Sequence, residues 1–229
     1  MQAAPTPGFS GTSIVAADLN AIGANRISIG GWTQVFSISP DRLVFQAGGG
    51  DDIYLRAGAQ LRAPEVMLIA ADTKSIVLER GASINTLGVG AAPFDSRQGY
   101  RYGLSNQSMN VLAVSNGWLD FANGVSTQDG RIELGADCAV AACAAPTRLY
   151  SEGTIALGTS NLVAHEALRY GTRNLVLAAS SLNAGSEAAL ADAQARGVLP
   201  NGLRLSQPLL NRLLQGDREF GAPALERVI

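Results

Sequence analysis

The sequence predicts an all-β fold, a parallel β-helix (β-solenoid) with two short helices near the C-terminus. The first observation is a phrase that occurs twice. Residues 53–61 read IYLRAGAQL and residues 76–84 read IVLERGASI, 76 − 53 = 23 residues later. A second pair, IELGADCAV at 132–140 and IALGTSNLV at 155–163, has the same offset, 155 − 132 = 23. Periods of about 20 to 50 residues are typical of repeat proteins whose units stack on one another.

The second observation is a series of short strand candidates, which begins near residue 14 and continues to about residue 120. Apolar and polar residues alternate within these runs, and glycine-rich turns separate them. An antiparallel sandwich also uses such strands, but it gives no reason for the 23-residue interval. In stacked coils, Ile53 is expected beside Ile76 and Gly58 beside Gly81, where glycine permits the positive φ of a repeated turn. A leucine-rich repeat is not favoured because its Leu/Asn ladder is absent.

The third observation is the composition of the 229 residues. Apolar residues make up 47% of the chain, aromatic residues only 6%, and 26 residues are glycine, which favours a narrow interior of small aliphatic side chains. The formal charge of −2 gives no basic surface for nucleic acid. We find neither a signal peptide nor an apolar run long enough to span a membrane.

The C-terminal part has the start and stop signals of two helices within residues 186–216, which we interpret as a decoration of, or insertion into, the coils. Ser186 is a candidate N-cap and Gly197 a candidate stop for the first helix. Ser206, followed by Pro208 in the first turn, starts the second helix, and Gly216 ends it. Such helices can cover the strand edges at the end of a stack.

Two cysteines, Cys138 and Cys143, close a short alanine-rich loop. We favour a disulfide, because no cysteine or histidine nearby completes a zinc site. Two buried thiols are the alternative. A disulfide indicates an oxidising compartment, and closing so short a loop stabilises the fold by roughly 2 kcal/mol.

The run LRYGTRNLVLAASSLNAG at 168–185, followed by GVLPNGLRLSQPLLNRLLQGD at 197–217 and GAPALERV at 221–228, resembles the filamentous haemagglutinin family of exoproteins. These are large adhesins of two-partner secretion in Gram-negative bacteria. The resemblance implies a right-handed β-helix, secreted or held at the outer-membrane surface after passage through an outer-membrane transporter. It also implies that residues 1–229 are one β-helix segment of a longer exoprotein, although the export signal of the family is missing here.

The expected function is therefore a non-enzymatic structural or adhesive segment that contacts host-cell or surface glycans or proteins. The irregular segment 91–107 carries the most ligand-like cluster, Tyr100, Arg101 and Tyr102, although packing of these rings on the coil is the alternative. No cofactor, metal site or catalytic residue is predicted. The GGGDD run at 48–52 resembles part of a calcium-binding repeat but occurs once, and the single histidine, His165, has no visible nucleophile partner.

The alternative function is a polysaccharide lyase or hydrolase of β-helix fold. Such enzymes use acids and basic residues along a groove, and Asp51 and Asp52 are the first candidates here. We expect no enzymatic activity because isolated surface carboxylates are common in any soluble protein.

Overall fold

The structure is a computed structural model that describes residues 1, 10–31, 33–39, 42–47, 50–104, 108–139 and 143–229. The described strands are β1 Arg26–Ile29, β2 Thr33–Ser39, β3 Arg42–Ala47, β4 Ile53–Leu55, β5 Gln60–Leu61, β6 Glu65–Ala71, β7 Ile76–Glu79, β8 Ser83–Asn85, β9 Gly103–Leu104, β10 Met109–Ser115, β11 Ile132–Ala136, β12 Thr147–Tyr150, β13 Thr154–Gly158, β14 Leu162–Ala164, β15 Leu168–Gly171, β16 Asn174–Leu177, β17 Leu182–Gly185, β18 Leu203–Ser206 and β19 Arg227–Val228. The helices are α1 Ala16–Ala21, α2 Glu187–Ala195 and α3 Gln207–Gln215, with 3-10 turns at Ser96–Gln98 and Glu219–Gly221.

Three sheets enclose the main core. The largest has the strand order β1-β6-β10-β13-β16-β19, and the two four-stranded sheets have the orders β14-β11-β7-β4 and β15-β12-β8-β5. The four-stranded sheets are parallel throughout. In them β4 pairs with β7 so that Ile53 lies beside Ile76, and the Gly58 N–H donates to the Gly81 carbonyl at 3.2 Å. The predicted register of the first 23-residue repeat is therefore confirmed.

The predicted fold class, an all-β parallel β-helix, is wrong. The six-stranded sheet is mixed, because β10 runs antiparallel to both of its neighbours, β6 and β13. Helices also form part of the described structure, including α1, which the sequence analysis placed among strands. The second repeat is wrong as well: Ile132 pairs with Ile76 and Leu162, whereas Ile155 lies in the six-stranded sheet beside Val114 and Leu175.

The reversal of β10 follows from the path of the chain between β8 and β11. This path enters the six-stranded sheet at the end where β6 finishes, so β10 runs back along β6 with Met109 beside Ala71 and Ser115 beside Glu65. The same path separates Ile76 from its partner Ile132 by 132 − 76 = 56 residues. Strands β6 and β10 are buried on both faces. Their inward residues join the main core, and their outward residues form a second core covered by Phe94, Tyr102 and Phe121. A strand that is apolar on both faces requires such a cover.

Both predicted C-terminal helices are confirmed. The Ser186 hydroxyl accepts from the Ala189 N–H and begins α2, and the Ser206 hydroxyl accepts from the Leu209 N–H and begins α3. Helix α3 places Leu213 in the main core. No helix among the described residues is long and apolar enough to cross a membrane.

Other parts of the chain bond to the outer strands of the stack. At one end, the Met1 amino group donates to β4 and the Asn20 side chain bonds to β5. At the other end, the Arg212 side chain donates to β14 and the Asp217 N–H donates to β15. Strand edges that would otherwise present unpaired backbone groups are bonded at these points.

Candidate functional site

The candidate site is a cleft beside one end of the six-stranded sheet, with a volume of about 750 Å³. We call it the Trp118 cleft. Its functional side chains are Arg97, Asn116, Trp118, Glu152, Arg173 and Phe220. The volume lies within the usual range for ligand pockets of about 300–1,000 Å³.

Parallel pairing brings distant parts of the chain to this cleft. Glu152 lies in the turn from β12 to β13, and Arg173 lies in the turn from β15 to β16. Because β12 pairs with β15 and β13 with β16, the two turns lie side by side, and the hydroxyls of Ser151 and Thr172 are 2.8 Å apart. Glu152 and Arg173 therefore sit on two neighbouring turns that a hydrogen bond joins.

Asn116 fixes a third segment to these turns. It follows β10, and its amide nitrogen donates to the carbonyls of Thr86 and Gly90 at 2.5 and 2.7 Å. Its amide oxygen accepts from the Glu152 N–H at 3.1 Å and from the Thr86 hydroxyl at 2.6 Å. These bonds use both donors and both acceptor positions of the amide, so Asn116 positions the cleft rather than offering itself to a ligand.

The charges of the cleft are mutually paired. Arg97 contacts Asp95 at 2.5 Å, and Arg173 contacts Glu226 at 2.7 Å. Arg227, beside the Trp118 ring, contacts Asp120 at 2.7 Å. With these three ion pairs and Glu152 included, three arginines face four carboxylates, so the formal charge is 3 − 4 = −1. Paired guanidinium groups still have further N–H donors. The cleft therefore offers both donors and acceptors without an excess of positive charge.

Asp95 is held ionised. Burial favours its neutral form, but the hydrogen bonds from the Arg97 side chain and from the backbone N–H groups outweigh burial and lower the pKa of the carboxyl group. Its side chain also accepts from the Arg97 N–H at 2.8 Å and begins the 3-10 turn Ser96–Gln98. Asp95 consequently orients Arg97 and is unsuited to act as a proton donor at neutral pH.

Two aromatic rings supply the apolar surface. Trp118 is half-buried, with the guanidinium groups of Arg227 and Arg97 at 4.5 and 5.5 Å from its ring. Phe220 is 65% exposed and contacts Tyr150 edge to face with ring centroids 5.4 Å apart. The cleft therefore has one exposed aromatic ring beside arginines and carboxylates.

The three ligand-contact residues predicted from the sequence lie outside the Trp118 cleft. Tyr100 is half-buried and packs on Phe94 with ring centroids 5.3 Å apart, and Arg101 is exposed. Tyr102 is only 1% exposed, and its hydroxyl donates to buried Glu65 at 3.4 Å. Tyr102 is therefore a core residue, and the same loop contributes Arg97 to the cleft instead.

Asp51 and Asp52, the candidate acids of the polysaccharide lyase or hydrolase alternative, do not line the Trp118 cleft. They share Lys74 as an ion-pair partner, at 3.2 and 3.7 Å. Asp52 also accepts from the Ser75 N–H at 2.7 Å. The first two glycines of the GGGDD run lie outside the described residues. Among the described residues, no group of three or more His, Cys, Asp or Glu side chains is arranged to hold a metal ion.

His165 and the two cysteines lie on another part of the surface. The His165 imidazole contacts Glu133 at 2.9 Å, and Arg131 contacts the other oxygen of that carboxylate at 2.8 Å. Cys138 and Cys143 form a disulfide with their Cα atoms 6.1 Å apart. The disulfide loop contacts the stack, because the Ala139 N–H donates to buried Glu79 at 3.3 Å.

No protein family model matches the chain, and neither a curated protein nor a solved structure does. The candidate site therefore depends on geometry alone. The sequence analysis gave no role to Trp118, Phe220, Glu152 or Arg173. The one sequence signal that could have indicated these residues is the occurrence of aromatic residues and arginines in the turns between strands.

Proposed function

We propose that the protein is a non-enzymatic adhesive module that binds uncharged glycans in the Trp118 cleft. The observation that carries the proposal is the convergence of two aromatic rings, paired arginines and carboxylates in one cleft. A sugar has an apolar face of C–H groups and a rim of hydroxyls, each of which both donates and accepts. Aromatic rings match the face, and mixed donors and acceptors match the rim.

The charge of the cleft favours an uncharged glycan over an acidic one. Each arginine of the cleft already has a carboxylate partner, and the local formal charge is −1. A sulfated or uronic acid chain would have to compete with Asp95 and Glu226 for their arginines. Like-charge juxtaposition opposes such a ligand.

A glycan also fits better than a protein. A stable protein interface buries about 800 Å² on each partner around an apolar centre. Within the Trp118 cleft, Phe220 is the one large apolar side chain among the described residues that is strongly exposed. A cleft with one strongly exposed ring suits a sugar better than an apolar protein surface.

The carboxylates of the cleft do not support the polysaccharide lyase or hydrolase alternative. A glycosidase needs a carboxylic acid with a raised pKa as its proton donor. The pKa of Asp95 is lowered, Glu226 is paired with Arg173, and Glu152, which accepts from the Gly88 N–H at 2.9 Å, is left without the second free carboxyl group that a glycosidase pair requires. We therefore propose binding without turnover.

We also propose that the protein acts outside the cell, secreted or at the outer-membrane surface, as part of a filamentous haemagglutinin-like adhesin. The disulfide between Cys138 and Cys143 and the resemblance of residues 168–228 to that family support this location. On this proposal its partners are surface glycans and, during export, an outer-membrane transporter, and nucleic acid is not among them.

The test is a panel of uncharged and acidic polysaccharides from plants, bacteria and animal hosts. Retained binding and released reducing or unsaturated ends are measured in the same samples. We expect retention of uncharged glycans without released ends. Trp118→Ala should weaken binding about tenfold or more, as for a central aromatic contact, and Arg101→Ala, a matched surface control outside the cleft, should not.

Three results would contradict the proposal. Released ends would favour the enzyme. A preference for acidic glycans would remove the argument from charge. Binding lost in Arg101→Ala but kept in Trp118→Ala would move the site to the surface around Tyr100 and Arg101.

A further inference from the structure

The backbone of Phe220 is the unusual feature of the cleft. Its φ is 57° and its ψ is 20°, and among the described residues it is the one non-glycine residue with a positive φ. The left-handed region is uncommon for non-glycine residues and a genuine outlier for a bulky one. A strained residue with a buried ring could be explained by packing, but Phe220 is 65% exposed, although its ring meets the Tyr150 ring edge to face and has the Arg148 guanidinium 5.8 Å from its centroid.

The surrounding contacts hold Phe220 in this conformation. The Asp217 carboxylate accepts from the Tyr150 hydroxyl at 2.6 Å and from the Glu219 N–H at 3.1 Å. The Glu219 carboxylate accepts from Arg148 Nε at 3.0 Å. Strained conformations persist where neighbouring contacts determine them, and they cluster at ligand-binding sites.

The turn also fits closely against the sheet. A Cβ atom added to Gly171 would lie 2.7 Å from the Asp217 carbonyl and 2.5 Å from the Ala222 side chain. The turn 217–222 is therefore tied to β12 and β15, and the Phe220 ring meets the Tyr150 ring of β12 edge to face while the residue stays 65% exposed. This arrangement stabilises the position of an apolar ring that contributes little to the core.

We infer that Phe220 is a ligand-contacting residue whose strained backbone presents its ring to the apolar face of an uncharged pyranose at the mouth of the Trp118 cleft. This inference rests on the proposed function and extends it to a second binding residue and to a class of sugar. A pyranose with adjacent C–H groups on one face covers such a ring, whereas a sugar with charged substituents on that face does not. On this inference the positive φ of Phe220 lowers the stability of the fold and holds the ring in its binding position.

The experiment separates stability from binding in the same variants. Phe220→Gly removes the strain, because glycine adopts positive φ without a Cβ clash, and it removes the ring. We expect an unchanged or higher melting temperature and about tenfold weaker binding to the uncharged oligosaccharide that the wild type retains best, which corresponds to about 1.4 kcal/mol.

Two controls complete the set. Phe220→Tyr keeps a ring and should keep the affinity. Ile22→Ala removes a residue that is 70% exposed but does not line the cleft, and it should leave the affinity unchanged.

The outcomes distinguish this inference from the proposed function. If wild type binds and Trp118→Ala does not, while Phe220→Gly binds like wild type, the inference on Phe220 is wrong and the cleft remains. A melting temperature no higher in Phe220→Gly than in Phe220→Ala, which also lacks the ring but keeps the Cβ atom, would show that the conformation is not strained and would also overturn the inference. If wild type retains no glycan of the panel, both proposals fail.

Discussion

The hydroxyl group of Tyr150 gives the most direct prediction about the turn that presents Phe220. The Tyr150 ring is buried, and its hydroxyl donates to Asp217 at 2.6 Å and lies 3.2 Å from the Glu219 carboxylate. Burial and the nearby Asp217 and Glu219 carboxylates raise the pKa of this hydroxyl, so it remains a donor at any physiological pH. Tyr150→Phe removes the donor and keeps the ring.

The size of the effect follows from the remaining contacts. A hydrogen bond to a charged group contributes about 1.5–3 kcal/mol. Both carboxylates keep another donor, since Asp217 also accepts from the Glu219 N–H and Glu219 from Arg148. We therefore expect the lower end, about 1.5–2 kcal/mol of lost unfolding free energy, or a melting temperature lower by about 3–8 °C for a chain of this length.

The assay is urea denaturation, monitored by circular dichroism, of the wild type, Tyr150→Phe, Asp217→Asn and the double variant. A direct bond should give a coupling energy of about 1 kcal/mol or more in this cycle. Tyr100→Phe, a ring on the surface loop, is the matched control and should change stability little. A coupling energy below about 0.5 kcal/mol would refute the reasoning, because independent sites add to within that limit.

Three further predictions concern the scaffold. Replacing Cys138 and Cys143 together with alanine should cost about 2 kcal/mol, and a melting temperature unaffected by reductant would contradict this value. Leu78→Ala should cost about 2–5 kcal/mol, because Leu78 is fully buried in β7 between β4 and β11, and a loss below about 1 kcal/mol would reject that packing. Burial alone would raise the pKa of Glu133, but hydrogen bonds from His165 and an arginine outweigh burial, and the net effect is a pKa below 4.5. The stabilisation by ionised Glu133 should therefore be present above pH 4.5 and lost as the pH falls through the folded-state pKa. The difference in urea midpoint between wild type and Glu133→Gln should shrink in acid, and a difference that stays constant would contradict this stabilisation.

The sequence predicts the pairing of β4 with β7 because the repeated phrase fixes both its register and its turn. It cannot predict the direction of β10, since a run of apolar residues reads the same in both directions. The apolar runs 66–71 in β6 and 111–114 in β10 are typical of strands buried on both faces, which the alternation described in the sequence analysis did not capture. The chain between β8 and β11 provides that second cover, and this same path reverses β10.

The candidate site was less accessible to sequence reasoning than the fold. Glu152 and Arg173 meet only because their turns follow paired strands. The apparent second repeat hid this pairing, because the letters shared by 132–140 and 155–163 reflect two buried strands in different sheets. Likewise, no local pattern marks Phe220 as left-handed, since neighbouring Gly221 is the residue expected to adopt positive φ.

The most direct test of the central claim is a fluorescence titration of Trp118 with the uncharged oligosaccharide that the wild type retains best. The chain has two tryptophans, Trp32 and Trp118, so Trp32→Phe makes Trp118 the only indole, and Trp118→Phe is the matched control. We predict a saturable change in emission in Trp32→Phe, at the same ligand concentrations that retain the protein on the polysaccharide, and none in Trp118→Phe. Retention without any change in Trp118 emission would place glycan binding elsewhere and contradict the account.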